Sequence, residues 1–169
     1  MLAADPGAQS RILGSQAATV RYLGTIRDAM LHALRCDAFA GPVLGDSQAL
    51  LTYLTFDMAH LPTERLRILY LNSANRLLCD ETEPEGSVNA TRVLPRAIMR
   101  RAVEVGATAL ILVHNHPSGD PAPSRDDVEA TRRIAEAARA LDICVHDHVI
   151  VAGANWTSFR ALGLLRVAA

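Results

Sequence analysis

The chain has 169 residues, half of which are hydrophobic and 21% of which are charged, and its formal net charge at pH 7 is −1. This length and composition suit one globular domain with a short additional segment and leave too little chain for two full-sized domains. A nearly neutral chain has no overall attraction for nucleic acid or acidic membranes, so DNA binding would need a local basic patch.

The first third of the sequence predicts two helices. Residues 1–15 are expected to be a flexible lead. Residues 16–36 carry apolar side chains at helical spacing, and Gly24 is a candidate break within them. A Gly-Pro turn ends this segment, and residues 48–61 predict a second helix that stops at a proline. The chain therefore begins with helical structure and no strand.

Helices and strands alternate in the rest of the chain. In order, we expect a β-hairpin over 64–84, a helix over 91–107, a buried strand over 107–116, a helix over 124–143 and a final strand and turn over 144–159. The predicted fold class is α/β (or α+β), a three-layer sandwich in which a mixed β-sheet is flanked by helices.

The stretch LILVHNHPSGDPAPSRDD at positions 110–127 carries the strongest chemical pattern. His114 and His116 stand two residues apart at the end of a buried strand, so both imidazoles point to one face. A short loop returns the chain to Ser124, and Asp127 then falls in the first turn of a helix. Two imidazoles and one carboxylate make a three-ligand zinc set with a fourth position open to water. The sequence therefore predicts a catalytic zinc at His114, His116 and Asp127.

A zinc-bound water also needs a carboxylate that accepts protons and passes them on. Glu64 is the best candidate, because it directly precedes a predicted strand whose start can lie beside the end of a neighbouring strand. Glu81, Glu83 and Glu85 are rivals on spacing alone, although an acid-rich turn is commonly exposed. Glu64 is therefore the predicted general acid/base.

Each part of the motif also has a purely structural explanation. Ser124 and Asp127 have the spacing of a helix-capping pair, and paired histidines at a strand end can simply be hydrogen-bonded. The explanations are compatible, since a capping serine can hold the helix that delivers the aspartate.

A second cluster, His146-Asp147-His148, would place both imidazoles on one strand face. We expect it to be a polar edge or a support for a ligand histidine.

The three cysteines, Cys36, Cys79 and Cys144, are too few and too far apart to indicate a disulfide framework or a paired-cysteine metal site. So few, widely spaced cysteines are typical of proteins in a reducing cytosol. The N-terminal sequence has no signal-peptide pattern, and no apolar run approaches the roughly 20 residues of a membrane-spanning helix. We therefore expect a soluble, cytoplasmic protein without membrane contact.

The pattern H-x-H-x7-S-x2-D with an upstream glutamate resembles the JAMM (MPN+) metalloprotease motif, and HNHPSGDPAPSRDD resembles its version in bacterial RadC-like proteins. GSVNA at 86–90, LPRAI at 94–98 and the pair DHVIV and SFRALGLL within 147–165 agree with this resemblance, which covers roughly residues 42–166. Ala97 stands where such proteins often carry a glutamate, a difference away from the predicted metal set.

The resemblance implies a cytidine-deaminase-like JAB/MPN fold that holds one Zn²⁺. Carried over residue by residue, it implies that the metal is bound by His114, His116 and Asp127. It further implies that Ser124 steadies the oxyanion of the tetrahedral intermediate and that Glu64 is the general acid/base.

The same resemblance divides the chain into an MPN/JAMM (RadC-like JAB) domain over residues 42–169 and an N-terminal extension over residues 1–41. The extension is a candidate remnant of the helix-hairpin-helix region that RadC-like proteins commonly carry. It lacks a clear hairpin glycine pattern, so the DNA contact associated with that region is not indicated.

The leading hypothesis is a zinc-dependent hydrolase of the metallopeptidase type that cleaves an amide or isopeptide bond in a protein or peptide substrate. The alternative is a DNA-repair-associated accessory or DNA-binding module with an inherited zinc site, which salt-dependent duplex binding would reveal. Its contacts would rest on arginines that we expect to be solvated helix faces: Arg96, Arg100, Arg101, Arg132 and Arg133. Hydrolysis of a nucleobase-like amide ranks lower, because no P-C-x-x-C motif is present.

Overall fold

A computed structural model of the chain describes residues 11–12, 17–43, 47–83 and 95–165. Within these ranges four complete helices and five strands are present. They are α1 (Ala17–Ala38), α2 (Ser47–Met58), β1 (Leu66–Leu71), β2 (Leu77–Thr82), α3 (Pro95–Val105), β3 (Ala109–Asn115), α4 (Arg125–Arg139), β4 (Cys144–Ala152) and β5 (Asn155–Ser158).

The five strands form one sheet in the order β2-β1-β3-β4-β5. The pair β3 and β4 is parallel, and the other three neighbouring pairs are antiparallel. Helix α4 forms the crossover between the two parallel strands, as such a connection requires. All seven residues of the central strand β3 are buried, which explains its uninterrupted apolar sequence. The expected mixed sheet is confirmed.

Helices cover both faces of the sheet, so the predicted three-layer α/β arrangement is confirmed. On one face, α3 and α4 contribute Ile98, Ala102, Ile134 and Ala138 to a core with the sheet side chains. On the other face, α2 contributes Leu50, Tyr53, Leu54 and Met58 to a second core that α1 partly covers. This two-sided burial holds β3 rigidly, and therefore also its last residues.

Three local predictions differ from the structure. Helix α1 runs through Gly24 without a break, because the cost of one helical glycine, about 1 kcal/mol, is small beside the packing of the helix on α2. Helix α4 ends at Arg139, before the predicted residue 143, because Asp142 adopts a left-handed conformation with φ of 55°. A fifth strand, β5, follows β4 through a tight turn at Gly153, where only a final turn was expected.

A buried ionic network joins α1 to the sheet. The carboxylate of Asp80, on β2, is 1% exposed and accepts hydrogen bonds from Arg67, Arg35 and the hydroxyl of Tyr53. Burial lowers the pKa of Arg67, but the hydrogen bonds and charge of Asp80 outweigh it and raise the pKa above its ordinary value. The described part of the N-terminal extension thus packs directly on the rest of the chain. The domain boundary at residue 41 stays a prediction.

Candidate metal centre

The candidate site forms where β3 ends and the chain turns toward α4. His114 is the sixth residue of β3 and is 6% exposed, while His116 directly follows the strand. Asp127 comes from the first turn of α4. One ligand atom from each of these three residues lies within 4.8 Å of the others. The structure therefore brings together the three residues that the sequence predicts as a metal set.

Two of the three separations within this group suit a tetrahedral metal. Asp127 Oδ1 lies 3.4 Å from His114 Nε2, and Asp127 Oδ2 lies 3.5 Å from His116 Nε2. Two donors at about 2.0–2.2 Å from a tetrahedral zinc would be roughly 3.3 Å apart. The two Nε2 atoms are closer, at 2.8 Å. The donor set of two imidazoles and one carboxylate is one that zinc readily accepts.

The protonation of the histidines favours a cation between them. His116 Nδ1 lies 2.8 Å from the carbonyl oxygen of Asp120, and because a carbonyl only accepts, Nδ1 carries the proton. In the neutral ring, His116 Nε2 therefore presents a lone pair to the site. Burial lowers the pKa of His114 to about 4, and the neighbouring His116 adds to this against the opposing pull of Asp127. His114 is thus neutral at pH 7.

Ser124 and Asp127 form the capping box that the sequence offered as a structural explanation. The Ser124 hydroxyl accepts from the backbone N–H of Asp127 at 3.1 Å, and Asp127 Oδ2 accepts from the backbone N–H of Ser124 at 2.8 Å. The hydroxyl also donates to Asp127 Oδ2 at 2.6 Å. The cap and the candidate site coexist, because these contacts fix the carboxylate while it faces the two imidazoles.

Glu64 lies close to the end of β3 through the pairing of β1 with β3. Leu66 is the register partner of His114, and Glu64 stands two residues before it, beside the turn that contains His116. Side chains two residues apart in an extended segment share a face, so we expect Glu64 on the face that His114 occupies. The pairing of β1 with β3 thus places the backbone of Glu64 near the end of β3, and its role stays a prediction.

Asn115 is the residue that fastens the Glu64 segment, and the sequence interpretation did not single it out. Its side chain is 0% exposed, and its Oδ1 accepts from the backbone N–H of Arg65 at 2.9 Å. Its Nδ2 donates to the carbonyl oxygens of Thr63 at 3.0 Å and Leu61 at 3.4 Å. The signal was present in the sequence, since a polar residue between two histidines at the end of a buried strand needs internal partners.

The rival acids differ in their surroundings. The Glu81 carboxylate is bound by Arg101 at 2.6 and 2.9 Å, and these hydrogen bonds, with that from Cys79, lower its pKa. Burial raises the pKa of Glu83, and the charge of Glu81 adds to the effect. Glu83 also lies next to β1, since its backbone N–H donates to Leu66 O. Glu85 falls outside the described residues.

The second histidine cluster does not share one face as predicted. The pairing of β3 with β4 shifts register between Leu110 and Ile111, which leaves His146 as an extra residue. His146 Nε2 consequently lies 2.8 Å from Asn75 Oδ1, whereas His148 is buried and contacts His114. This shift separates the two imidazoles, and strand alternation alone could not reveal it.

Asp147, the middle residue of that cluster, holds the end of β5 and the turn that follows it against β4. Its carboxylate accepts from the Ser158 hydroxyl at 2.5 Å and from the backbone N–H of Arg160 at 3.0 Å. It also accepts from the backbone N–H of His148 at 2.7 Å. These contacts give Asp147 a structural role at the sheet edge.

Several arginines of the proposed basic patch are held by acidic neighbours. Arg101 pairs with Glu81, and Arg132 pairs with both Glu129 and Glu136 on the surface of α4. Such pairing reduces the local positive potential, in agreement with the solvated-face expectation. In the described part of the chain, no helix combines the length and the apolar character needed to cross a membrane.

Comparisons with known proteins give a family match and similar relatives, one of which is described below. A family model for the RadC-like JAB domain matches residues 44–164. The chain is also 44% identical over 165 residues to a "UPF0758 protein" from Rhodobacter capsulatus, an alignment that covers 98% of this chain and 77% of that protein. The matched range contains the whole candidate site, from Glu64 to His148.

Proposed function

This chain belongs to the RadC-like JAB domain family, and from that premise we propose that it is a zinc-dependent hydrolase of the JAMM type that cleaves an amide or isopeptide bond. The proposal rests on one observation: His114, His116 and Asp127 converge with their acceptor atoms within 4.8 Å. Three acceptor atoms this close together repel one another unless a proton or a cation lies between them. A protein or peptide conjugate is the substrate class that this chemistry suits.

Zinc held by His114, His116 and Asp127 would supply a Lewis acid that polarises a carbonyl and makes water nucleophilic near neutral pH. Neutral imidazoles are the form in which histidine binds a metal, and burial keeps His114 in that form. Three protein ligands leave a coordination position for water or substrate, which is typical of catalytic zinc sites and not of structural ones.

The remaining steps fall to two side chains of the protein. Glu64 would accept a proton from the attacking water and return it to the leaving amine. Ser124 would donate a hydrogen bond to the developing oxyanion. Since the Ser124 hydroxyl donates to Asp127 Oδ2 at 2.6 Å, it would have to rotate away from that carboxylate to serve the oxyanion. The Ser124 backbone N–H, at 2.8 Å from the same oxygen, would continue to hold Asp127 in place.

Two matched glutamate variants test the acid/base assignment. Glu64→Gln should keep a full equivalent of zinc and lose turnover by about 10²–10⁴-fold, because the amide cannot carry the proton. Glu83→Gln removes a half-buried acid from the same end of the sheet and should leave turnover per bound zinc unchanged. If Glu83→Gln were inactive and Glu64→Gln active, the base would be Glu83.

A metal-content measurement tests the site separately from the chemistry. His114→Ala should lose zinc under conditions in which Glu64→Gln retains it, as determined by elemental analysis after dialysis. Turnover is then screened against ubiquitin-like conjugates, short peptides and gapped DNA over a salt series. Zinc-dependent cleavage of a conjugate or peptide supports the proposal. Steeply salt-dependent DNA binding without any hydrolysis would overturn it.

A further inference from the structure

His148 is a fully enclosed imidazole that lies behind the candidate metal site and is not part of the converging group. Its Nε2 is 2.8 Å from His114 Nδ1, and its Nδ1 is 2.6 Å from Thr131 Oγ1. Its ring stacks on Phe159, with centroids 4.6 Å apart and planes inclined by 27°. Burial, together with the neighbouring imidazoles of His114 and His116, lowers the pKa of His148 well below its ordinary value. Burial of a neutral imidazole is costly unless both nitrogens have hydrogen-bond partners, and in His148 each nitrogen has one.

The far end of this chain of contacts fixes the position of every proton in it. Thr131 Oγ1 lies 2.6 Å from the backbone carbonyl oxygen of Asp127, and a carbonyl only accepts. The single hydroxyl proton of Thr131 therefore points to Asp127, and Thr131 must accept from the Nδ1–H of His148. Neutral His148 then has a lone pair on Nε2, which accepts from the Nδ1–H of His114. The result is that His114 Nε2 has no proton and turns its lone pair toward the site.

We propose that His148 and Thr131 are positioning residues that lock His114 in its Nδ1–H tautomer and tie its imidazole to helix α4. The chain of hydrogen bonds starts on one candidate metal-binding residue, His114, and ends on the backbone of another, Asp127. It thus joins the end of β3 to the first turns of α4 through buried side chains. The role in metal binding rests on the proposed function, whereas the tautomer lock is a property of the metal-free protein.

The lock has two consequences for a cation. No tautomer change is needed before His114 Nε2 binds, because the lone pair already faces His116 and Asp127. The Nδ1–H···Nε2 hydrogen bond to His148 also makes His114 a better electron donor, as partners behind metal-binding histidines generally do. A residue that only filled space in the core would provide neither effect, so the two roles can be separated by substitution.

Matched pairs of variants separate positioning from packing. Thr131→Val keeps the shape of the side chain and removes the hydroxyl that fixes the direction of the hydrogen bonds through His148. Thr131→Ser keeps that hydroxyl. His148→Gln retains a donor and an acceptor, whereas His148→Leu retains neither. His146→Leu serves as the control, since this imidazole lies on the same strand but contacts Asn75 and not the site.

The tautomer is read directly in the chelated, metal-free protein by imidazole ¹⁵N–¹H correlation spectra at pH 7.5. We expect the Nδ1–H form for His114 in the wild type, Thr131→Ser and His146→Leu. Thr131→Val should give a mixture of tautomers at His148 and His114. A wild-type His114 that carries its proton on Nε2 would overturn the proposal, whether or not the protein binds zinc.

Zinc affinity is measured on the same proteins by competition with a chromophoric chelator. His148→Leu and Thr131→Val should bind zinc about 10–100-fold more weakly, with His148→Gln and Thr131→Ser close to wild type. If Thr131→Val, folded as judged by its amide spectrum, bound zinc as tightly as the wild type, the link to metal binding would be wrong. A wild type without zinc affinity but with the Nδ1–H tautomer would instead count against the proposed function alone.

Discussion

Replacement of Asn115 by alanine tests whether one buried side chain holds the Glu64 segment against the end of β3. The carboxamide is enclosed and donates to two backbone carbonyls while it accepts from the backbone N–H of Arg65. The segment before β1 lies outside the strand ladders, and these contacts attach it to the end of β3. Loss of the carboxamide should loosen the segment without disturbing β3, which is paired on both sides.

The expected loss of stability follows from the geometry of the three hydrogen bonds. The two at 2.9 and 3.0 Å are of ordinary length, and each is worth about 0.5–1.5 kcal/mol. The third, at 3.4 Å, is weak. The backbone groups left without a partner in a buried place add a desolvation penalty of about 1–3 kcal/mol. We therefore expect Asn115→Ala to lower the free energy of unfolding by about 2–6 kcal/mol.

Equilibrium denaturation of the metal-free protein measures this loss, and Asn72→Ala is the matched control. Asn72 also accepts two backbone N–H bonds, but at the turn on the opposite end of β1, so its loss should cost less than about 1 kcal/mol. With zinc bound, Asn115→Ala should turn over about tenfold more slowly per zinc, because Glu64 is less well placed. If Asn115→Ala were no less stable than Asn72→Ala, or equalled the wild type in turnover per zinc, the attachment role would be refuted.

Three further predictions concern stability and metal binding. Asp80→Ala should lower the free energy of unfolding by about 3–5 kcal/mol, because it leaves the buried Arg67 without its main counter-charge; a loss below about 1 kcal/mol in equilibrium denaturation would contradict this. Ser124→Ala should cost about 1 kcal/mol through loss of the α4 cap and should weaken zinc binding, since Asp127 loses a hydrogen bond; an unchanged affinity in a competition titration would contradict the second part. In the metal-free protein, the folded-state pKa of His114, about 4, lies below its value of about 6.5 in the unfolded chain. Below pH 6.5 the unfolded state therefore binds more protons than the folded state, so the free energy of unfolding is lower at pH 5.5 than at pH 7.5. We expect His114 to account for about 1 kcal/mol of this difference. A denaturation midpoint that is higher at pH 5.5 than at pH 7.5 would contradict the prediction.

Structural features that depend on residues close together in the chain could be predicted from the sequence. The apolar run before His114 indicated a strand buried on both faces, and β3 is one. The spacing of Ser124 and Asp127 indicated both a helix cap and a delivered carboxylate, and the structure shows the cap with the carboxylate facing the imidazoles. In each case, the information lies within one turn or one strand, where side-chain direction follows from spacing alone.

Features that depend on strand register could not be predicted in this way. The register shift opposite Leu110 and Ile111 places His148 behind His114 and directs His146 toward Asn75. No feature of the β4 sequence indicates where a single extra residue enters the ladder. The sequence predicted a helix around Thr131 but no role for its hydroxyl. Its hydrogen bond to His148 depends on how α4 packs on the sheet, which involves residues far apart in the chain.

Contacts around the site hold its three candidate metal-binding side chains close together although their acceptor atoms repel one another. Asp127 is fixed by the α4 cap, His116 by the carbonyl of Asp120 and His114 by the chain of bonds through His148. The supports of both imidazoles leave Nε2 as an acceptor that faces the site, whereas the two donors of Ser124 hold Asp127 through Oδ2. The two Nε2 atoms, 2.8 Å apart, therefore repel each other. A protein interior ordinarily pairs such groups with donors. Convergence of two imidazole Nε2 atoms and a carboxylate, each held by its own support, is the arrangement expected of groups that bind a cation, as the proposed function requires.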